Sequence, residues 1–97
     1  MALKIEWTPQ AEKGLVSVLE YLEENWTAKE ILNLERKIME FTERISKYPK
    51  ICPSSGKYPN LRKGLVDKNN YIIYRVRARK KVVEIINFGG SKQKPLP

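Results

Sequence analysis

The segment 70–90, NYIIYRVRARKKVVEIINFGG, carries two apolar stretches separated by the cationic tetrapeptide ARKK at 78–81. Both stretches are rich in β-branched and aromatic residues, so the segment is typical of a β-hairpin with a charged tip. Residues 71–74 are apolar at consecutive positions, which indicates a central strand with both faces partly covered. We therefore expect this hairpin in the middle of a sheet whose faces the remainder of the chain must shield.

A short strand followed by an amphipathic helix is predicted at the start of the chain. Leu3, Ile5 and Trp7 alternate with Ala2, Lys4 and Glu6, which is the pattern of a strand with one buried face. Thr8-Pro9 then favours a helix start, because threonine caps the first turn and proline has no N–H to leave unpaired there. The apolar stripe that follows consists of Ala11, Leu15, Val18, Leu22 and Trp26. Gly14 weakens this helix unless it permits a close contact.

A second helix is predicted from the pattern Thr27-Ala28-Lys29-Glu30, which matches a capping box. Its apolar stripe consists of Ile31, Leu34, Ile38, Phe41 and Ile45. The helix is expected to end near Tyr48, because Pro49 disfavours helical geometry in the residue before it. Since the connection between the two helices is short, we expect an antiparallel helical hairpin.

Three further strands are predicted after a loop at residues 49–60, which is rich in proline and serine. The strands are Leu61–Asp67, Tyr71–Arg77 and Val82–Phe88. Residues 68–70 join the first two tightly, since asparagine tolerates left-handed backbone angles. The predicted fold is a single α+β domain over residues 1–97. Its elements run β-α-α-β-β-β, with a mainly antiparallel sheet of about four strands and the helical hairpin on one face.

Positive charge is concentrated in the second half of the chain. The net charge is +8, from 19 Lys and Arg against 11 Asp and Glu. Residues 1–49 hold seven basic and nine acidic residues, whereas residues 50–97 hold twelve basic residues against Asp67 and Glu84. This asymmetry favours a basic face that meets a polyanion or an acidic protein, and a surface charged for solubility is the alternative.

Several functional classes are disfavoured by the composition. The sequence has no histidine and one cysteine, Cys52, so a Ser–His or Cys–His nucleophile pair, an internal disulfide and a metal cluster are not expected. Gly89-Gly90 alone is a very weak phosphate-binding motif, and no cofactor is predicted. No apolar run approaches the roughly 18 residues of a membrane span, and the first residues, MALKIEWTP, lack the features of a secretory signal. A reducing, cytoplasmic location is the expectation.

The cations of the predicted sheet are the main candidates for a binding site. Arg75 and Arg77 share one face of a strand, because they lie two residues apart. The other candidates are Arg62 and Lys63 on the preceding strand, and Lys92 and Lys94 after the last strand. Arginine beside tyrosine favours phosphate or base contacts, or equally an acidic protein partner. For the tip at 79–81, protection against sheet-to-sheet aggregation is the alternative.

The chain resembles the RelE/ParE superfamily of toxins from bacterial toxin–antitoxin pairs, which are associated with plasmid stabilisation and growth inhibition. The resemblance lies in the opening KIEWTPQAEKGL, the ending YPNLRKGLVDKNNYIIYRVRARKKVVEIINF, the order of elements and the basic tail, and it covers nearly the whole chain. It implies a compact sheet with two helices and a groove for an antitoxin tail. It further implies a cognate antitoxin, acidic and encoded adjacently, in a hetero-oligomer, with a homodimer as a further possibility.

The resemblance implies one of two activities. RelE-like members cut messenger RNA on the ribosome, whereas ParE-like members inhibit DNA gyrase. Arg62 and Lys63 match basic positions of the nucleases, but Tyr71 stands where those nucleases place an arginine. After the last strand only Lys92 and Lys94 replace their basic, His or Tyr cluster.

The resemblance is therefore closer to the ParE-like branch, which implies a toxin that binds DNA gyrase and is not a nuclease. Its implied binding residues are Arg62, Lys63, Arg75, Arg77, Lys92 and Lys94. The alternatives are a RelE-like ribosome-dependent endoribonuclease that uses Arg62, Lys63 and Lys92, and a non-toxic protein-binding module derived from the family.

Overall fold

The computed structural model describes residues 2–56 and 60–90 of this chain. Two helices follow the first strand, and three strands follow the helices. The strands are β1 (Lys4–Trp7), β2 (Arg62–Asp67), β3 (Asn70–Arg77) and β4 (Val82–Gly90), and the helices are α1 (Pro9–Asn25) and α2 (Ala28–Lys47). A short 3₁₀ turn, Ala78–Lys80, connects β3 to β4. The predicted element order and α+β class are confirmed.

The four strands form one mixed sheet in the order β1-β4-β3-β2. The last three strands are antiparallel neighbours, as predicted, and β1 pairs in parallel with β4. The helical hairpin carries the chain from β1 to β2 at the other edge of the sheet, and β3 and β4 then return as antiparallel neighbours, so that β4 lies parallel to β1. Lys92 and Lys94 lie outside the described residues. Neither helix is long and apolar enough to cross a membrane within the described part of the chain.

Thr8 fixes the junction between β1, α1 and β4. Its hydroxyl donates to the carbonyl of Ile85 at 2.8 Å and accepts from the N–H of Ala11 at 3.2 Å. The predicted N-cap is therefore confirmed, and it also anchors the helix start to the sheet. Thr27 precedes α2 as predicted, but its hydroxyl contacts the Glu30 carboxylate at 3.4 Å and makes no side-chain cap bond to the helix backbone.

The core lies between the helices and one face of the sheet. The most buried apolar residues are Ala11, Val18, Leu34, Ile38, Phe41, Ile45, Ile72, Tyr74, Val82, Val83, Ile85 and Phe88. This set includes members of both predicted helix stripes: Ala11 and Val18 of α1, and Leu34, Ile38, Phe41 and Ile45 of α2. Leu15 and Leu22 of the α1 stripe are partly buried and pack against the core.

Gly14 lets α1 approach β4 closely. A Cβ atom at this position would collide with the backbone carbonyl oxygen of Phe88. Backbone cannot move aside as a side chain can, so only glycine fits this contact without a shift. The sequence suggested such a contact as the reason for a glycine inside the helix, and the structure confirms it.

The two connections between the last three strands differ from each other in their backbone angles. Among the described residues, the non-glycine residue with positive φ is Lys81, at 56°, which closes the β3–β4 connection. The prediction that asparagine adopts left-handed angles at 68–70 is wrong. Instead, Asp67 Oδ1 accepts from the N–H of Asn69 at 2.7 Å and from Nδ2 of Asn70 at 3.0 Å. This Asx turn stabilises the connection without left-handed backbone.

Candidate functional site

The helix-free face of the sheet, called the open face below, carries three of the four predicted cations that the structure describes. Side chains alternate between faces along a strand, and Ile72 and Tyr74 of β3 point into the core. The neighbours of these two residues therefore point to the open face. By the strand register, the residues on the open face include Lys4, Glu6, Lys63, Leu65, Tyr71, Ile73, Arg75, Arg77 and Glu84.

Glu84 holds both arginines of β3. Its Oε1 accepts from Arg75 Nη2 at 2.7 Å and Nε at 3.1 Å, and from Arg77 Nε at 3.1 Å. The register explains the contact, because Glu84 is the cross-strand partner of Arg75. One carboxylate neutralises one of two positive charges, so the cluster keeps a net positive charge and part of its donors. We call Arg75, Arg77 and Glu84 the arginine clamp.

The arginine clamp shifts the titration of its carboxylate. The hydrogen bond from Arg75, with a further electrostatic contribution from Arg77, lowers the pKa of Glu84 from its ordinary value, against an opposing effect of desolvation. Glu84 therefore stays ionised at neutral pH and keeps the two guanidinium groups in place on the open face.

Lys63, Tyr71 and Gly89 form a second contact on this face. The Lys63 ammonium lies 4.6 Å from the centroid of the Tyr71 ring, which is cation–π geometry. The ring lies across Gly89 on the neighbouring strand, where an added Cβ would meet the phenol oxygen at 2.6 Å. Glycine thus lets the ring pack flat on the sheet.

Arg62 lies on the opposite face from Lys63, because the two are adjacent in β2. Its Nη1 donates to the carbonyl of Cys52 at 2.5 Å and approaches that of Lys50 at 3.4 Å. The buried hydroxyl of Tyr74 donates to the carbonyl of Pro49 at 2.8 Å. Burial, reinforced by contact with Cys52, raises the pKa of Tyr74. Arg62 and Tyr74 therefore tie the loop after α2 to the sheet.

A groove of about 670 Å³ lies where the helical hairpin meets the β2–β3 turn. Its apolar lining consists of Val18, Leu22, Leu34 and Val66, together with Tyr21 of α1 and Trp26, which directly follows α1. Trp26 is 57% exposed, although it belongs to the apolar stripe predicted for α1. Asn69 also lines the groove, and its buried Oδ1 has no hydrogen-bond donor among the described residues.

The structure brings together only part of the predicted residue set. Lys63, Arg75 and Arg77 share the open face, whereas Arg62 lies on the other face in contact with the loop. Sequence reasoning missed Glu84 as the partner of the arginines. The available signal was that Glu84 is one of only two acidic residues in the basic half of the chain.

Solved structures with the same fold include toxins and toxin–antitoxin complexes. Three solved structures share the fold at identities too low to show more than that. The chromosomal ParDE system of Pseudomonas aeruginosa matches with a TM-score of 0.76 and 14% identity, over 94% of this chain and 98% of that one. The RelBE2 toxin–antitoxin complex of Mycobacterium tuberculosis matches with a TM-score of 0.67 and 15% identity, over 93% of this chain and 99% of that one. The isolated RelE toxin of Escherichia coli matches with a TM-score of 0.59 and 21% identity, over 96% of this chain and 88% of that one.

A comparison with models of protein families gives one match over most of the chain. No curated protein matches the chain. The model described as the ParE toxin of the type II toxin–antitoxin system, parDE, matches residues 5–95, which include both helices, β2, β3, β4 and all of β1 except its first residue. The chain therefore belongs to the ParE toxin family of type II toxin–antitoxin systems.

Proposed function

We propose that this toxin acts by binding DNA gyrase in the cytoplasm, and that a cognate acidic antitoxin neutralises it in a hetero-oligomer. The family match supports the ParE-like branch. The observation that favours binding over catalysis is that side chains at the nuclease-like positions are engaged in contacts within the fold. Tyr71 packs across Gly89, and Arg62 bonds to loop carbonyls.

Phosphodiester cleavage needs a base for the 2′-hydroxyl, an acid for the leaving oxygen and cations for the developing charge. Arg62 faces away from Lys63, so these two cations do not converge on one phosphate at the open face. Arg75 and Arg77 donate to Glu84 and present a fixed, partly neutralised charge. Such a surface is suited to electrostatic recognition of another macromolecule.

An acidic antitoxin fits the charge of this chain. The open face exposes Lys63 and the arginine clamp, and the half of the chain that builds β2, β3 and β4 carries most of the net charge. Structures with the same fold include toxin–antitoxin complexes, such as RelBE2 of M. tuberculosis and DinJ–YafQ of E. coli. We therefore assign the open face to partner and target recognition.

Two assays with the same purified protein test the proposed target. We expect inhibition of gyrase-catalysed supercoiling with trapped DNA breaks, and no cutting of messenger RNA on ribosomes. Replacing Arg75 and Arg77 together by glutamate is expected to abolish the inhibition, whereas Met39→Ala, on the exposed surface of α2, is the matched control. Thermal melts of each variant establish that it is folded.

Two outcomes contradict the proposal. The first is that the unchanged protein cuts messenger RNA in the ribosomal A site and that the Lys63→Ala or Lys92→Ala variant does not. This result would move the protein to the nuclease branch. A chain that affects neither assay and does not arrest growth on expression would instead be a non-toxic binding module.

A further inference from the structure

The tip of the β3–β4 connection, residues 78–81, carries three cations that make no contribution to the contacts described so far. Arg79, Lys80 and Lys81 are exposed, and none of them forms an ion pair with a carboxylate of the described residues. The tip differs in this respect from the arginine clamp, whose two cations share one carboxylate. The charges of the tip are therefore available to a partner.

Protection of a sheet edge does not account for the tip. A charged side chain blocks edge-to-edge pairing when it stands on a strand whose backbone groups are unpaired. The three cations lie in the turn and not on a strand. Val82, where β4 begins, is paired on both sides, with Arg77 of β3 and Lys4 of β1. The aggregation alternative therefore leaves the cations of the turn unexplained.

Two hydrogen bonds hold the backbone of the tip in one shape. Lys81 has a φ of 56° and donates its N–H to the carbonyl of Ala78 at 3.1 Å. The carbonyl of Lys81 in turn accepts from the N–H of Lys4 at 3.0 Å, which fastens the tip to β1. A turn that is already ordered loses less conformational entropy on binding than a free loop.

Lys4 extends the positive charge of the tip across the end of the sheet. Its side chain is exposed on the open face, and Val82 separates it from Arg77 of the arginine clamp. Since neighbouring strands lie about 4.8 Å apart, the Cα atoms of Lys4 and Arg77 are roughly 10 Å apart. The nearest acidic residues by register are Glu6 and Glu84, two residues further along β1 and β4, and Glu84 already accepts from two arginines. We call Lys4, Arg79, Lys80 and Lys81 the basic end.

The basic end lacks the apolar anchors on which protein interfaces centre. The exposed residues of the tip are Ala78 and the three cations. The large exposed apolar residues of the described chain lie on or between the helices, in the loop after α2 and on β2. A phosphate backbone, in contrast, is bound by cations without apolar anchors. This composition favours a phosphate polyanion over an acidic protein at the tip.

We propose that the basic end binds the phosphate backbone of duplex DNA directly. The cations contact phosphates and read no bases, so the binding is independent of sequence and falls steeply with salt. The setting of this contact rests on the proposed function, because a toxin bound to DNA gyrase meets the duplex on which that enzyme acts. The contact itself does not require gyrase.

Fluorescence anisotropy with the full chain and a labelled DNA duplex measures the contact in the absence of gyrase. The tip variant combines Arg79→Gln, Lys80→Gln and Lys81→Asn, since asparagine tolerates the left-handed backbone at position 81. We expect it to bind a duplex of about 20 base pairs at least about tenfold more weakly at about 50 mM salt. The slope of the logarithm of the binding constant against that of salt should become shallower by about 2–3, because each phosphate contact contributes about 0.9.

A matched control removes the same charges from the exposed surface of the helices. It combines Lys13→Gln, Lys29→Gln and Arg36→Gln, so that it also loses two lysines and one arginine. We expect this variant to bind DNA less than about threefold more weakly than the unchanged chain, with the same salt slope.

A charge-preserving variant separates charge from the shape of the turn. It combines Arg79→Lys, Lys80→Arg and Lys81→Arg. Because phosphates are contacted by positive charge, we expect it to keep the affinity and the salt slope of the unchanged chain. Thermal melts followed by circular dichroism establish that each variant is folded.

Three outcomes overturn the inference. Equal salt slopes for the tip variant and the helix control would mean that net charge alone explains the binding. An RNA duplex of the same sequence that binds at least about tenfold more tightly than the DNA would assign the contact to RNA. A tip variant that binds DNA as the unchanged chain does, but no longer binds the acidic antitoxin, would make the tip a protein-binding surface.

The proposed target is tested separately from the DNA contact. If the unchanged chain binds the duplex in this way but does not inhibit supercoiling, the gyrase target is wrong and the DNA contact stands.

Discussion

Arg75 and Arg77 on β3 donate to the same carboxylate oxygen of Glu84, so their positions depend on a residue of the neighbouring strand. Removing this carboxylate would leave two guanidinium groups close together without a counter-charge. At the scale of single residues, the structure also shows that Gly14 has a steric role.

Stability is expected to depend on the ionisation of Glu84. Its pKa is lowered in the folded chain, so its contribution is present above the unfolded-state pKa and is lost as the pH falls through the folded-state pKa. Glu84→Gln should therefore lower the free energy of unfolding at pH 7, and the difference from the unchanged protein should vanish in acid. Urea unfolding across a pH series measures this. Glu35→Gln, at an exposed site on α2, is the control, and a difference that persists in acid would contradict the electrostatic account.

Gly14→Ala is expected to destabilise the protein although alanine is the better helix former. Helix propensity alone predicts a gain of up to about 1 kcal/mol, whereas overpacking against the Phe88 carbonyl costs about 1–3 kcal/mol. Thermal or denaturant unfolding gives the sign. Gly56→Ala, with no atom within 4 Å of the added carbon, should change stability little. A more stable Gly14→Ala variant would show that α1 and β4 separate at no cost.

At the scale of elements, the two faces and the outer edge of β2 make different contacts. Arg62 points to the helix side and secures the loop after α2, and Lys63 points to the open face. Beyond Lys63, the outer edge of the strand has no backbone partner among the described residues. Gly64 allows this strand to pass close to the core, since a Cβ there would meet Phe41 and Cys52. Adjacent residues of one strand therefore have different tasks.

The pair Arg62→Ala and Lys63→Ala tests this division. Arg62→Ala removes charge-assisted bonds to loop carbonyls and should lower the free energy of unfolding by about 1–3 kcal/mol. Lys63→Ala should change it by less than about 0.5 kcal/mol, because the side chain is exposed, yet weaken antitoxin binding. Unfolding and binding measurements on both variants check the two effects. Equal stability of the two would mean that the loop needs no anchor from Arg62.

At the scale of the whole molecule, the charges are distributed in a way that suits an acidic partner. The helical half of the chain is nearly neutral, and the half that forms β2, β3 and β4 carries the excess of basic residues. A field of this kind steers an oppositely charged protein toward the sheet and raises its association rate.

The association rate with the antitoxin is therefore expected to fall as ionic strength rises. Charge reversal of Arg75 and Arg77 to glutamate should slow association and flatten the salt dependence, since long-range attraction to the open face is lost. Reversal of Lys13 and Lys29 on the helices gives the same net charge and serves as the control. Stopped-flow mixing at several salt concentrations measures both. If the association rates of the two double variants depend on salt concentration in the same way, the local charge of the open face does not govern association.

The sequence by itself determined the elements, their order and the family. Helix caps, apolar stripes and strand alternation involve residues that are near neighbours in the chain, so local patterns encode them. Thr8, the stripe of α2 and the β3–β4 hairpin were all predicted within a residue or two. That Arg75 and Arg77 share one face of a strand was predicted as well, because they lie two residues apart.

Only the tertiary structure decided how distant segments meet. The pairing of β1 with β4 in parallel depends on the crossover of the helical hairpin. A bulge in β4 shifts its pairing with β3 between Ile73 and Tyr74. The buried residues of β4 are therefore Val83, Ile85 and Phe88, whereas strict alternation would place Asn87 in the core after Ile85. The Glu84 contact and the pairing of residues 53–55 with the start of β2 follow from strand register and loop path. These depend on the balance of many long-range contacts, which no local pattern in the sequence encodes.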